Sequence, residues 1–208
     1  PNLLLNSGMA KANDFSFHFH AMSRLVAEFA YPVNDLKDID PHQTWNIKEN
    51  IKFGAAVGTP DLLSATLAQG GHSTNVNFEN LGAYYSSSIP KGKSGFIKIG
   101  KYAQPWYKFE PESVKKISES TKLLENQLYK VGAKRVYLNT KKPKISTVHI
   151  FGSMSIGKSR IVDNSGNLIK HSNLIRVCDA SILPTATFVN PQGPLSVLAK
   201  VLSKKYYQ

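Results

Sequence analysis

The stretch from Leu174 to Leu202 carries side chains whose order could build a ligand site. An apolar run, Leu-Ile-Arg-Val-Cys, predicts a short buried strand that ends at the carboxylate of Asp179. Pro191 and Pro194 then mark a helix start, and apolar residues continue behind them. In open α/β sheets, a strand end and the free N–H groups of a helix start line one crevice and hold an electron-rich ligand. The sequence therefore predicts such a ligand between this strand end and this helix.

A second motif, at residues 152–159, reads Gly-Ser-Met-Ser-Ile-Gly-Lys-Ser and matches the phosphate-binding loop of nucleotide triphosphatases at every defined position. That loop must run directly into a helix, whose N-terminus attracts the phosphates. After Ser159, the pattern is instead apolar, Asn-Ser-Gly, then apolar again, which predicts a β-hairpin. Too few residues remain before Leu174 for a crossover helix. A phosphate-loop nucleotide-binding protein is therefore the least favoured alternative for this chain.

The polar residues of the C-terminal third follow one longer pattern. In order, it consists of His149-x-x-Gly152-Ser153, Val162-Asp163-x-x-Gly166, Asp179-Ala180-Ser181-x-x-Pro184, and Asn190-Pro191 before an apolar helix. Over residues 148–202 this order and spacing resemble the C-terminal segment of the glucose–methanol–choline (GMC) flavoprotein oxidoreductases. The start, Pro1–Gly8, resembles the Pro-x-Leu-Leu-x-x-Ser-Gly helix that follows the main FAD domain in that family. Ser153 departs from the more usual Thr but retains a hydroxyl.

The resemblance implies FAD as the cofactor and a small alcohol as the substrate. Alcohol oxidation removes a proton from oxygen and a hydride from carbon, and the hydride goes to flavin N5. His149 would be the base, because the pKa of histidine suits proton transfer near neutral pH. Asn190 would hold the substrate oxygen, since its amide both donates and accepts hydrogen bonds. The chain would then be part of an FAD-dependent oxidoreductase acting on CH–OH groups, a dehydrogenase or an oxidase.

The resemblance also implies which residues contact the flavin. Asp179 and the N–H of Ala180 would meet its ribityl or pyrophosphate region. Pro191 has no N–H, so Gln192 would donate to the pyrimidine oxygen, where charge develops as the flavin is reduced. Each of these residues alone would have a duller interpretation, as a core histidine, a helix cap or a turn former. Their joint spacing is what favours the flavin site.

The family's Gly-x-Gly-x-x-Gly fold, which grips the ADP half of FAD, is not in this sequence. The sequence begins at Pro1 in what reads as the middle of a helix. We therefore expect the chain to be the C-terminal portion of such an enzyme and expect the FAD-binding portion to be its partner. The alternative is a non-catalytic fragment that binds no flavin alone and acts only with another polypeptide.

The positions of the apolar residues predict an α+β fold. The prediction is an antiparallel or mixed substrate-binding sheet with helices on one face, plus the C-terminal strand and helix of a Rossmann-like FAD-binding domain. Helices are predicted at Pro60–Gln69 and Pro111–Val131, and strands at the alternating Phe15, Phe17 and Phe19 and at residues 95–100, 106–109 and 133–138. Residues 34–58 are predicted to be irregular, and residues 82–93 to be a connector. Residues 1–13 would end the FAD-binding domain, 14–144 form the substrate-binding layer, and 145–208 complete the flavin and active site.

Composition excludes several classes of function. The formal net charge is +12, but the lysines are scattered and no nucleic-acid-binding motif occurs, so we predict no nucleic-acid partner. No apolar run is long enough for a transmembrane segment. His18 and His20 could begin a zinc site, but no further ligands are spaced nearby, and no metal is predicted. The single cysteine, Cys178, is predicted to be a buried small hydrophobe. No signal fixes the compartment, and we favour the cytoplasm.

Overall fold

The computed structural model describes residues 1–34, 44–48, 51–56, 58–89, 95–99, 103–137, 145–171, 175–187 and 189–204. The chain divides into two compact units. The first unit contains Pro1–His20, Lys91–Phe109 and Val148–Gln208, and the second contains Ala21–Pro90 and Glu110–Thr147. Within the described ranges, no helix combines the length and the apolar character needed to cross a membrane. The domain boundaries expected from the sequence stay predictions.

The described residues form helices and short strands throughout. The helices are α1 (Asn2–Asn6), α2 (Pro60–Gly70), α3 (Pro111–Lys130) and α4 (Gln192–Lys204). The strands are β1 (Ser16–Phe19), β2 (Ala21–Glu28), β3 (Thr44–Lys48), β4 (Ile51–Ala56), β5 (Leu81–Ser88), β6 (Gly95–Ile99), β7 (Ala103–Trp106), β8 (Arg135–Tyr137), β9 (Ile145–Ser146) and β10 (Ile150–Phe151). The prediction of a mixed α+β chain is confirmed.

The second unit is built on a six-stranded antiparallel sheet with the order β3-β4-β5-β2-β8, and β9 pairs with β2 as well. Helix α3 packs its buried Leu124 and Leu128 against Leu25 of β2, and helix α2 packs Leu63 against the neighbouring Val26. Successive residues of a strand point to opposite faces, so the two helices cover opposite faces of the sheet. The prediction that helices lie on one face is therefore wrong.

The ends of both long helices follow their sequence signals. Thr59 caps α2 by accepting a hydrogen bond from the N–H of Leu62 at 3.4 Å, and Gly71 ends it in the left-handed conformation. Helix α3 begins at Pro111, and its stripe of Ile117, Leu124 and Leu128 is buried. Both helix predictions are confirmed.

Strand β5 is where the sequence misleads most. Its residues, Leu-Gly-Ala-Tyr-Tyr-Ser-Ser-Ser, are rich in small polar types and are predicted to be a connector, yet β5 pairs along its length with β2 and β4. Ser86 is fully buried, and its Oγ lies 2.6 Å from Oγ of the buried Ser120 on α3. A small hydroxyl satisfied by another hydroxyl can sit where sheet and helix meet, so burial overrides the turn propensity of serine.

The region predicted to be irregular, residues 34–58, also contains strands. Where it is described, it forms the hairpin of β3 and β4, and β4 pairs with β5. Phe53 of β4 is only 2% exposed, so this strand contributes to the core. The predicted strand at 106–109 is displaced, since β7 ends at Trp106. Residues 35–43, 49–50 and 138–144, which the sequence analysis also covers, lie outside the described part.

The first unit contains a four-stranded antiparallel sheet with the order β10-β1-β6-β7. The alternation in β1 is confirmed, because Phe17 and Phe19 are buried. Beside the sheet, side chains from many segments share one core: Leu4, Phe15, Met154, Val162, Leu168, Ile182 and Leu202. Because Leu202 belongs to α4, this core fixes the C-terminal helix that the sequence predicts.

The buried strand predicted to end at Asp179 is not observed. Residue 174 lies outside the described part, and residues 175–179 contain one isolated bridge, between Arg176 and Asn167. Ile175 and Val177 are half-buried, and Cys178 is exposed, so the prediction of a buried cysteine is wrong. The segment pairs with the edge of a hairpin instead: the N–H of Val177 donates to the carbonyl of Gly166 at 2.8 Å. The Rossmann-like strand of the prediction is therefore not supported.

That hairpin, at residues 161–169, is the one predicted in place of a phosphate-loop helix. Val162 and Leu168 bridge across it, and the N–H of Asp163 donates to the carbonyl of Asn167 at 2.9 Å. The Asp163 carboxylate also accepts from the N–H groups of Ser165 and Asn167. Arg176 joins the hairpin to α4, since it donates to Asn167 Oδ1 at 2.8 Å and to the carbonyl of Leu202 at 2.7 Å.

We expect Gly166→Ala to destabilise the fold by about 2–3 kcal/mol, because the turn holds Gly166 at φ +80° and a Cβ there would lie 2.7 Å from the carbonyl oxygen of Val177. Gly71 has the same φ but nothing within 4 Å of an added Cβ. Gly71→Ala therefore isolates the backbone penalty and should cost about 1 kcal/mol. Denaturant unfolding of the two variants checks the difference. Equal losses would show that the Gly166 site is not crowded.

The same turn predicts a pH dependence of stability. Burial acts to raise the pKa of Asp163, but hydrogen bonds from Asn167 and Ser165 and the charge of Arg176 outweigh it, so the pKa lies below its ordinary value of 3.8. A carboxyl with a depressed folded pKa stabilises the fold at neutral pH and loses that contribution as the pH falls through its folded pKa. Asp163→Asn should therefore be destabilising at neutral pH, and the deficit should shrink in acid. A deficit independent of pH would contradict this.

Candidate active site

His149 lies directly before β10, at the edge of the first unit's sheet. Strand β10 pairs with β1, so that Phe151 faces His18 across the ladder. The chain then turns sharply at Gly152, which has φ +74°. A Cβ at Gly152 would lie 3.0 Å from the carbonyl oxygen of Leu183 and 3.1 Å from the ring of His18, so glycine is required for this close approach. The half-buried imidazole of His149 is therefore held at a fixed turn.

The ring beside His149 is that of His20. The two ring centroids are 5.6 Å apart, with the planes at 86°, and Phe151 contacts both histidines. His20 is only 3% exposed, and its Nε2 donates a hydrogen bond to the backbone carbonyl of Thr187. A buried imidazole bonded in this way has its Nε2 proton and its ring orientation fixed.

Thr187 begins the short segment that leads to Asn190. Its hydroxyl donates to the carbonyl of Val189 at 2.7 Å. Asn190 follows, half-buried, and precedes the buried Pro191 at the start of α4. The structure therefore brings together, around His20, the turn that carries His149 and the segment that leads to Asn190.

The start of α4 has backbone donors that the described part of the chain does not pair, as the sequence predicts. The first helical hydrogen bond runs from the N–H of Leu195 to the carbonyl of Pro191 at 2.8 Å. The N–H groups of Gln192 and Gly193 precede it and have no partner within the helix. Both residues are exposed, and nothing lies within 4 Å of a Cβ added at Gly193. The chemistry of this helix start fits an electron-rich carbonyl oxygen.

Asp179 and Ala180 lie beside the Gly152 turn. The carboxylate of Asp179 accepts a hydrogen bond from the N–H of Ser181 at 2.7 Å and so caps a 3-10 turn at Ala180–Ile182. The carbonyl of Ala180 accepts from the N–H of Gly152 at 3.1 Å. Ala180 therefore binds the backbone that follows His149, whereas Asp179 binds within its own segment, and its exposed carboxylate has one oxygen without a partner in the described part.

The same backbone pairing explains why the phosphate-loop sequence does not form a phosphate loop. The N–H groups of Gly152, Met154 and Ile156 donate to the carbonyls of residues 180, 181 and 182. A phosphate loop uses such N–H groups to cradle phosphates. Here they are already bonded, and Lys158 leads into the hairpin rather than into a helix.

His20 is the candidate functional residue that sequence reasoning missed. The alternation of Phe and His placed His18 and His20 together on the exposed face of a strand, as a possible zinc pair. His20 instead lies beyond the end of β1 and is buried. Among the described residues, no group of three or more His, Cys, Asp or Glu side chains could hold a metal ion. Its contact with His149 makes it a candidate, and that contact joins segments distant in sequence.

Comparison with known proteins gives two matches. Residues 109–199 match the family model described as GMC oxidoreductase, in its C-terminal form. An uncharacterized GMC-type oxidoreductase of Sinorhizobium fredii is 25% identical over 236 aligned residues, which cover 96% of this chain and 45% of that relative. The chain thus spans less than half the length of that relative. The resemblance predicted from the spacing of His149, Asp179 and Asn190 is confirmed, since residues 109–199 match the C-terminal portion of GMC oxidoreductases.

Proposed function

We propose that this chain supplies the substrate-binding layer and the active-site residues of an FAD-dependent oxidoreductase that acts on the CH–OH group of a small alcohol. The observation that carries the proposal is the arrangement around His20, which contacts the ring of His149 and bonds the segment leading to Asn190. Two segments, one with an imidazole and one with a carboxamide, are fixed to one buried residue, and the two groups are suited to bind a single alcohol oxygen. The family match supports the oxidoreductase class.

In this proposal His149 removes the hydroxyl proton of the alcohol. Imidazole is suited to this, because its ordinary pKa lies close to neutral pH and its half-buried position leaves it accessible to substrate. Asn190 orients the same oxygen through its amide, which has no role in taking the proton. A bound FAD would supply the acceptor for the hydride of the alcohol carbon. The turn at Gly152 and the ring of His20 keep His149 in one orientation while the proton moves.

The residues that would hold FAD are those whose hydrogen-bond donors or acceptors are not used within the described part of the chain. The N–H groups of Gln192 and Gly193, at the start of α4, would face the pyrimidine carbonyl of the flavin. The second oxygen of the Asp179 carboxylate, with the N–H of Ala180, would meet the ribityl or pyrophosphate region. Pro191 would set the direction of the helix start. The partner that the proposal requires is a polypeptide portion that binds the ADP half of FAD.

Flavin binding and turnover test this function together. We expect the chain, co-expressed with the part of the Sinorhizobium fredii relative that precedes the matched region, to carry visible flavin absorbance that an alcohol bleaches. His149→Gln should keep the absorbance but lower kcat/KM by about 10²–10⁴-fold, because the base is gone. His72→Gln, in the second unit, is the matched control and should leave kcat/KM unchanged.

Two outcomes would contradict this function. The absence of a flavin species in the chain alone and in the co-expressed complex would favour a non-catalytic partner. Turnover by His149→Gln at the rate of the unmodified chain would exclude His149 as the base.

His20 should act as a positioning residue for His149. We expect His20→Leu to lower kcat by about tenfold or more, with a smaller change in KM, because loss of the bond to Thr187 releases both segments of the site. His20→Gln can still donate to the Thr187 carbonyl and should recover most of kcat. The readouts are kcat and KM on the flavin-loaded protein, with thermal unfolding of each variant. If both variants lost kcat equally and in proportion to stability, the role of His20 would be only structural.

A further inference from the structure

The first unit contains a polar cavity of about 490 Å³ to which the proposed function assigns no role. Its wall is formed by the stretch before β1, by His18 and by the segment that matches the phosphate-loop sequence. The lining residues that bear on ligand binding are Asp14, His18, Ser153, Ser155, Lys158 and Arg160. Most of these side chains can donate hydrogen bonds, which is the composition expected for an anion site.

The charges on the wall are not balanced. Lys158 and Arg160 are exposed at the cavity, and in the described part of the chain neither forms an ion pair. The carboxylate of Asp14 is engaged locally, since its Oδ2 accepts from the N–H of Lys11 at 2.7 Å. Burial, and then the charge of Lys158, lower the pKa of His18, so the imidazole is neutral at neutral pH. With two cations and the one carboxylate of Asp14, the lining therefore carries a net positive charge.

Three serines of the segment that matches the phosphate-loop sequence line the cavity, and two of them have a hydroxyl available to a ligand. Ser153 and Ser155 are each 6% exposed. The Ser155 hydroxyl donates to the carbonyl of Gly152 at 2.9 Å, whereas Ser153 Oγ has no hydrogen-bond partner among the described residues. Ser159 Oγ accepts from the N–H of Ile161 at 3.0 Å, so its own O–H remains available to donate. Neutral donors from Ser153 and Ser159 beside two cations suit an anion with several oxygens spread in space.

We propose that this cavity binds the phosphate group of a small organic phosphate, held by Lys158, Arg160 and the hydroxyl of Ser153. The site goes beyond the proposed oxidoreductase function; only one possible source of the phosphate, the pyrophosphate of FAD, rests on that function, and the ligands compared below separate it from a phosphorylated substrate. It uses side chains and not the backbone, because the alternate N–H groups of residues 152–156 are bonded to the carbonyls of residues 180–182. The cavity is several times larger than a phosphate group needs, so the phosphate would belong to a larger molecule.

Calorimetric titration of the 208-residue chain with inorganic pyrophosphate at low ionic strength tests the proposal. Lys158→Gln should weaken binding by about tenfold or more, since it removes a charge-assisted hydrogen bond. Arg160→Gln should have a similar effect, and both side chains are exposed, so neither variant should unfold. Lys122→Gln, on the exposed face of α3 in the second unit, removes the same charge elsewhere and is the matched control.

The result that supports the site is selective weakening in the two cavity variants. Absence of heat with pyrophosphate, or equal weakening by Lys122→Gln, would overturn it, because binding would then reflect only the net charge of +12. A local readout is the pKa of His18, measured by NMR in the unmodified chain, in which Lys158, Arg160 and Asp14 are all present. Bound phosphate should raise the pKa of His18, since a nearby anion favours the imidazolium. An unmoved His18 titration at saturating pyrophosphate would place the anion elsewhere.

Two further ligands distinguish the source of the phosphate. Glucose 6-phosphate represents a phosphorylated substrate, and FAD represents the pyrophosphate of the cofactor. Binding of either that depends on Lys158 supports the site, and the tighter of the two identifies the source. The contrary result is that Lys158→Gln weakens the binding of pyrophosphate without weakening the binding of either organic ligand. That result would exclude an organic phosphate and overturn the proposal.

Discussion

The bond from His20 to the Thr187 carbonyl is the interaction on which the first unit's candidate chemistry depends. A buried donor is costly to leave unpaired, so the fold commits this imidazole to one carbonyl and one orientation. The consequence is that two segments far apart in sequence are held against the same ring. The neighbouring backbone hydrogen bonds also hold the site in place, because N–H groups of residues 152–156 donate to the carbonyls of residues 180–182. Rigid support of this kind is what general acid–base chemistry requires of its side chains.

In the second unit, helices cover both faces of an antiparallel sheet. Helices α2 and α3 contact alternate residues of β2, so its central residues, Leu25, Val26 and Ala27, are all fully buried. Space between the sheet and α3 is limited, and the buried hydroxyls of Ser86 and Ser120 fit there while satisfying each other. Small polar residues thus serve as core here. The reason is close packing: a side chain of the right volume is tolerated in the core, even a polar one, provided that its hydrogen-bond donor is paired.

Local rules predicted the parts of the structure that local interactions determine. Thr59, Gly71 and Pro111 mark helix ends through their own backbone chemistry, and the structure follows them. The hairpin at 161–169 can also be predicted from the sequence, because its turn residues favour particular backbone angles. The failures share one cause. Strand β5, the covering of both sheet faces and the exposure of Cys178 depend on which segments meet in space, and composition alone does not contain that information.

Only part of the candidate site, likewise, can be predicted from the sequence. The order of His149, Asp179 and Asn190 identified the family, and the free donors at the start of α4 follow from Pro191 and Pro194. His20 could not be predicted, since a histidine that follows an alternating strand reads as a surface residue. Its burial arises from the ring of Phe151 and the backbone of Thr187, contributed by two other segments.

The exposure of Cys178 has a practical consequence. It is the chain's single thiol, and it lies between the segment paired with the hairpin and the 3-10 turn capped by Asp179. A maleimide dye or a nitroxide would therefore attach at one defined position close to the Gly152 turn. Fluorescence or paramagnetic broadening from that position would report on the neighbourhood of His149 without any engineered cysteine.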